Sequence, residues 1–160
     1  MLWYNIPLYL LIIIIICVNK NHVLTICQQN CAQVTPLREM VLDLLLQYNG
    51  VVKAYQLLSD MKAIRGNVAP PTVYRALDFW VEQGVLHKTE ALNGYVLCQH
   101  LAQHQCSGVI LHCTHCQQIF EECHTDTLEL FKEELTNKGF KVQMQQIALK
   151  GICRTCQSKK

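Results

Sequence analysis

Pro70-Pro71-Thr72-Val73-Tyr74-Arg75-Ala76-Leu77-Asp78-Phe79-Trp80-Val81-Glu82-Gln83-Gly84 is the stretch on which the fold turns. Proline suits the first positions of a helix, where the backbone N–H has no intrahelical partner to lose, and glycine suits its end. Between them Val73, Ala76, Leu77, Trp80 and Val81 recur at helical spacing and predict one buried stripe. The opposite face carries Tyr74, Arg75 and Asp78. Such a helix suits the last member of a helix-turn-helix, which enters the major groove with its N-terminal residues leading. Amphipathic helices in threes are common, and on this pattern alone Arg75 could equally be a solvated surface charge.

Upstream, Thr35 can cap a helix that Pro36 opens. Leu37, Met40, Val41, Leu44 and Leu45 form its stripe, and Asn49-Gly50 is the expected stop. A second helix carries Ala54, Leu57, Leu58 and Met61 and stops near Gly66. Cys27 and Cys31 precede these helices at i, i+4 spacing and read as small core residues, with metal ligation as the alternative.

Downstream, residues 85–90 and 95–98 flank Asn93-Gly94, a strong hairpin signal. A hairpin directly after the last helix makes the trio a winged helix. If Asn93-Gly94 is a two-residue turn, Leu92 faces Tyr95, Thr89 faces Cys98 and His87 faces His100. Alternation then places His87, Cys98 and His100 on one face. They are either candidate metal ligands or a half-buried cysteine beside surface histidines.

The second half is organised by Cys113-Thr114-His115-Cys116 and Cys153-Arg154-Thr155-Cys156. Two Cys-x-x-Cys pairs can complete a tetrahedral shell of four thiolates, the usual closed structural zinc site. Disulfides or a redox pair are the alternative, and nothing in the chain convincingly suggests secretion. Residues 101–108 form a polar connector holding His104 and Cys106. Strands are expected over 109–113 and 118–122, and a helix from Asp126 with Glu129 three residues on. Leu128, Phe131 and Leu135 give that helix its stripe and Gly139 its stop, and Phe140, Val142 and Met144 alternate as a strand. Exposed strands and a small core fit a dimerisation unit.

The fold class expected is therefore α+β: an N-terminal winged helix-turn-helix and a small C-terminal α/β dimerisation domain with a four-cysteine zinc site. The boundaries fall at 1–20, 21–98, 99–107 (a hinge) and 108–160. Half of the 160 residues are apolar, so core material is ample, and a formal charge of +2 does not by itself imply nucleic acid. Ten cysteines and seven histidines are the outlying counts and point to metal chemistry. Residues 8–18 are almost purely apolar, with five consecutive isoleucines. The run is short for a membrane span and lacks the flanks of a signal peptide. The expectation is a mis-called translation start, with a membrane anchor as the alternative.

The winged helix, short connector and paired cysteines together resemble the ferric-uptake-type metalloregulators, and within them the zinc-sensing branch. The resemblance is carried by Pro70 to Phe79 followed by Glu82-Gln83-Gly84, and by Thr35-Pro36-Leu37-Arg38, Ala54-Tyr55-Gln56-Leu57-Leu58, His87-Lys88, Tyr95-Val96-Leu97-Cys98 and Glu121-Glu122-Cys123. It spans roughly residues 27–156. It implies a cytoplasmic homodimer that represses zinc-uptake genes by binding palindromic operator DNA when loaded with about two zinc ions per chain. It implies no enzyme, no small-molecule substrate and no membrane partner. Position by position, Cys113, Cys116, Cys153 and Cys156 match the structural site, and His87, Cys98 and Glu121 match regulatory ligands. Cys106 stands where close relatives place a histidine, with His104 and His100 as alternatives. Tyr55 and Arg75 match DNA contacts, and Thr72 and Tyr74 are expected beside them. Iron and peroxide sensors carry a His-rich run before the first cysteine pair, whereas this chain has Ser107-Gly108-Val109-Ile110. A zinc or thiol enzyme is the remaining rival class. No His-x-Glu precedes a Pro-Cys-x-x-Cys, and no Cys-x-x-Cys has a thioredoxin-type context.

Overall fold

The computed structural model describes residues 19–101, 108–122, 125–142 and 147–158. The isoleucine run and most of the 99–107 connector, with His104 and Cys106, lie outside the described residues.

Four helices open the described chain: α1 (Lys20–Gln29), α2 (Pro36–Leu45), α3 (Ala54–Arg65) and α4 (Pro70–Glu82). The first is additional to the expected three. Asn19 caps it by accepting from the Asn21 N–H, and Val23, Ile26 and Cys27 are its buried residues. That stripe is a single i, i+3, i+4 set in otherwise polar sequence, which is why periodicity gave so little sign of it. Cys27 is a core residue as expected, but Cys31 is exposed, beyond the helix end, with φ of 52°. Thr35 caps α2, and the helix ends at Leu45, ahead of Asn49-Gly50.

The core gathers around Trp80, Leu42, Leu45, Leu57, Met61 and Leu77. The stripe of α4 buries Val73, Ala76, Leu77 and Trp80 as its periodicity requires, and Phe79 besides, whereas Val81, expected in the stripe, is only partly buried against the core. Burying an indole leaves its N–H in need of an acceptor. Trp80 Nε1 finds the Arg38 carbonyl at 3.1 Å, and the Arg38 guanidinium lies 3.7 Å from the centre of the Phe79 ring. Both contacts tie α4 to Arg38 of α2.

The wing is the antiparallel pair β1 (Leu86–Thr89) and β2 (Gly94–Leu97). Its register differs from the expected one: His87 faces Val96 and Thr89 faces Gly94, so 90–93 is the loop and Gly94 is already strand. Asn93 takes φ of 48° and its N–H closes a turn on the Glu90 carbonyl. The reason for the shift is a neighbour. Val52 pairs with Tyr95 as a one-residue third strand, and a Cβ on Gly94 would lie 2.6 Å from Val51 Cγ1. The glycine is needed for that close approach, so the turn forms before it. The register moved by an even number of residues, so His87 and Cys98 still share a face.

The second half is a three-stranded sheet of order β4-β3-β5, with β3 (Val109–Cys113) antiparallel to β4 (Ile119–Glu122) and parallel to β5 (Ile147–Gly151). Helix α5 (Thr125–Asn137) and the short α6 (Arg154–Gln157) complete it. The strand expected at Phe140, Val142 and Met144 is not one over its described residues, and the strand proper begins at Ile147. Phe140 belongs to the end of α5: its N–H reaches back to the Leu135 carbonyl across Gly139, whose φ is 87°. That is a Schellman-type stop, whose apolar residue after the glycine imitates the start of an alternating strand. A second apolar cluster joins the halves: Leu92 and Val96 of the wing pack with Ile110 and Ile119 of the sheet, flanked by Val51 and Ala148.

Candidate metal centres and nucleic-acid interface

Parallel pairing of β3 with β5 sets Cys113 opposite Gly151, so the two Cys-x-x-Cys pairs emerge at the same end of the sheet. The Cys153 N–H points at Cys113 Sγ from 3.3 Å, and Cys116 Sγ lies 3.8 Å from Cys153 Sγ. All four sulfurs lie within 4.8 Å of one another, and all four cysteines are free. Disulfide sulfurs would be about 2.05 Å apart. Thiolates about 2.3 Å from a common tetrahedral centre would be about 3.8 Å apart, the distance between the Cys116 and Cys153 sulfurs. The charge pattern agrees. Backbone N–H groups of Cys116 and then Cys153 pull the Cys113 thiol down to about 5. Hydrogen bonding to Cys153, burial and the other sulfurs push Cys156 up to about 12. Four sulfurs this close disfavour more than one negative charge among them, so a full set of thiolates calls for a cation.

The second cluster draws on both halves. His87 comes from β1, Cys98 from the residue after β2 and Glu121 from β4, with ligand atoms within 4.8 Å of one another. Glu121 Oε2 accepts the Gln99 N–H at 2.8 Å. Its Oε1 stands 2.8 Å from His87 Nε2, yet the two atoms are not aligned as a hydrogen bond, and both are buried without another partner. Two buried polar atoms that face each other at 2.8 Å with no hydrogen bond to satisfy them suit donors to one ion. Burial and then the Glu121 charge push the Cys98 thiol up to about 12, so a thiolate here also calls for a cation. Burial opposes the Glu121 charge, but His87, the Gln99 N–H and His100 outweigh it and hold the carboxyl below its usual range. Nitrogen, sulfur and oxygen donors of this kind fit zinc. His100 does not join them: its Nε2 lies 3.2 Å from the Glu121 backbone carbonyl. The two candidates for a fourth donor, Cys106 and His104, lie outside the described residues.

On the outer side of the winged helix, Tyr55 is 70% exposed and Tyr74 50%. Arg75 is exposed and Thr72 half-buried. Tyr55 and Tyr74 line one groove with Lys53, Lys88, Thr89 and Asn93, between the starts of α3 and α4 and the wing. Lys53 Nζ donates to the Leu92 carbonyl and, at 2.7 Å, to that of Asn93, which ties α3 to the wing. Lys53 was not singled out from the sequence, where it is an isolated lysine without a pattern, and Lys88 entered only through the His87-Lys88 match to the family.

Residues 29–150 match the model of the ferric uptake regulator family. The zinc uptake regulation protein of Escherichia coli strain K12 is 36% identical over 131 residues, which cover 82% of this chain and 77% of that protein. A solved zinc uptake regulator complexed with zinc and DNA superposes with a TM-score of 0.80 at 34% identity, over 88% of this chain and 93% of that one. The holo form of XcZur superposes with a TM-score of 0.76 at 34% identity, over 88% of this chain and 99% of that one.

Proposed function

The chain belongs to the ferric uptake regulator family, and on that footing we propose that it is a zinc-responsive, DNA-binding repressor of zinc-uptake genes, working in the cytoplasm. The observation that carries the reading is the convergence of His87 and Cys98 from the wing with Glu121 from the sheet. One zinc held there would join the two halves, with Cys106 as fourth ligand and His104 as the alternative. A second zinc on Cys113, Cys116, Cys153 and Cys156 would serve the fold, since a segment this small gains folding energy from its metal. Zinc in both places would act as a Lewis acid that gathers thiolate, imidazole and carboxylate donors, displacing protons from the thiols as it binds.

The DNA-facing residues are Tyr55, Thr72, Tyr74 and Arg75, with Arg75 the base or phosphate contact and the others fixing phosphates or packing on thymine methyls. Leu111 and Leu149 are paired across β3 and β5 and exposed, and Leu130 and Phe131 of α5 and Phe140 after it are exposed as well. A second copy covering these residues gives the homodimer, and its two-fold axis calls for a palindromic operator. The 99–107 connector is the hinge between a DNA-binding unit (21–98) and a dimerisation unit (108–160). The decisive experiment titrates zinc, with iron as control, into the protein and operator DNA. Binding that rises with zinc and ignores iron is expected; binding indifferent to zinc would overturn the proposal.

A further inference from the structure

Among the described residues Gly50, Gly66, Gly84 and Gly139 hold positive φ. Three of them face open space, where a Cβ would meet nothing within 4 Å. Gly50 differs: a Cβ there would lie 2.7 Å from the backbone oxygen of Gln117. Gln117 closes the cysteine turn. Its φ is 62°, its N–H bonds the Cys113 carbonyl at 2.9 Å, and its side chain bonds the Thr114 carbonyl at 2.9 Å. So the loop that leads from α2 to Val52 meets the four-cysteine turn backbone to backbone. Beside this contact runs the apolar seam of Leu92, Val96, Ile110 and Ile119, with Val51, the next residue after Gly50, against it.

We propose that Gly50 and the 113–117 turn form the stop on which the winged helix seats against the sheet, making Gly50 a positioning residue for the His87, Cys98 and Glu121 site. The inference rests on the zinc-responsive reading above. That site takes donors from both halves, so it closes only when the halves abut at the right depth. Metal–ligand distances tolerate errors of about 0.2 Å. A Cβ wedged against a carbonyl that the cysteine turn holds in place would exceed that tolerance, because the facing atom is backbone and cannot rotate away. The four-cysteine turn thereby sets the geometry of a second site to which it gives no ligand.

Gly66 supplies the control: it too holds a positive φ, 76° against 97° at Gly50, and a Cβ there has no neighbour to strike. The full chain is compared as wild type, Gly50→Ala, Gly66→Ala and Leu92→Ala. Fold is checked by circular dichroism and the tightly held zinc by metal analysis, and the second zinc is titrated against a chromogenic chelator. Gly50→Ala is expected to keep its tight zinc, weaken the second tenfold or more, and raise by the same factor the zinc needed for DNA binding. Gly66→Ala should stay within twofold of wild type. Leu92→Ala thins the seam without altering φ, should weaken the second zinc likewise, and decides the matter if Gly50→Ala does not fold. Equal second-zinc affinities in Gly50→Ala and Gly66→Ala, or an unchanged one in Leu92→Ala, overturn the inference. A wild-type chain that takes up no second zinc overturns the functional reading itself, and this inference with it.

Discussion

Arg75 stands on the exposed face of α4, across the helix from the buried Val73, Ala76 and Leu77. Removing its guanidinium should leave the core untouched. Arg75→Ala is expected to weaken specific operator binding by about 1–3 kcal/mol, the range for an arginine that reads a base, with an unchanged melting curve. An unchanged footprint would move the DNA face elsewhere. A second residue-scale prediction concerns the fourth donor to the His87, Cys98 and Glu121 cluster. Thiolate is the softer ligand and favours zinc over iron or manganese. Cys106→Ala should therefore weaken zinc-dependent DNA binding while the four-cysteine zinc stays, and His104→Ala should do little. Zinc-titrated anisotropy separates the two, and the reverse ranking would make the histidine the ligand.

At the scale of elements, the wing is the place where one atom governs a register. An added Cβ on Gly94 would meet Val51 Cγ1 at 2.6 Å and the Val52 carbonyl at 2.7 Å. Gly94→Ala should cost about 1–3 kcal/mol, as overpacking does, read as a lower urea midpoint. A midpoint equal to wild type would mean that Val52 leaves the wing at little cost. The same hairpin marks how far the sequence could be read. Helix α4 was legible because proline, glycine and a five-residue stripe agree. The wing was legible as a hairpin, but its register depended on Val52, a partner far along the chain that no local pattern announces. The shared face of His87 and Cys98 survived because side-chain direction depends on parity alone. Strand β5 was misplaced because a helix stop and a strand start look alike at Phe140. The four cysteines were legible from spacing; Glu121 came only through family resemblance, since an acidic residue on an alternating strand has no signature of its own.

For the whole molecule, the metal is expected to hold assembly and fold together. Cys156→Ser should release the four-cysteine zinc and convert the proposed dimer to monomer or aggregate in sizing experiments with metal analysis. A variant that kept both its dimer and its full zinc content would refute that role. The parallel pairing of β3 with β5 has a further consequence, in time and not in space. Cys116 and Cys153 are neighbours in the fold but 37 residues apart in the chain. A ribosome adding about 5–20 residues per second needs about 2–7 s to cross that gap. Throughout that interval the newborn chain carries one pair of thiols with no counterpart. Cellular zinc supply and thiol protection during translation would then limit the yield of working molecules, before any sensing begins.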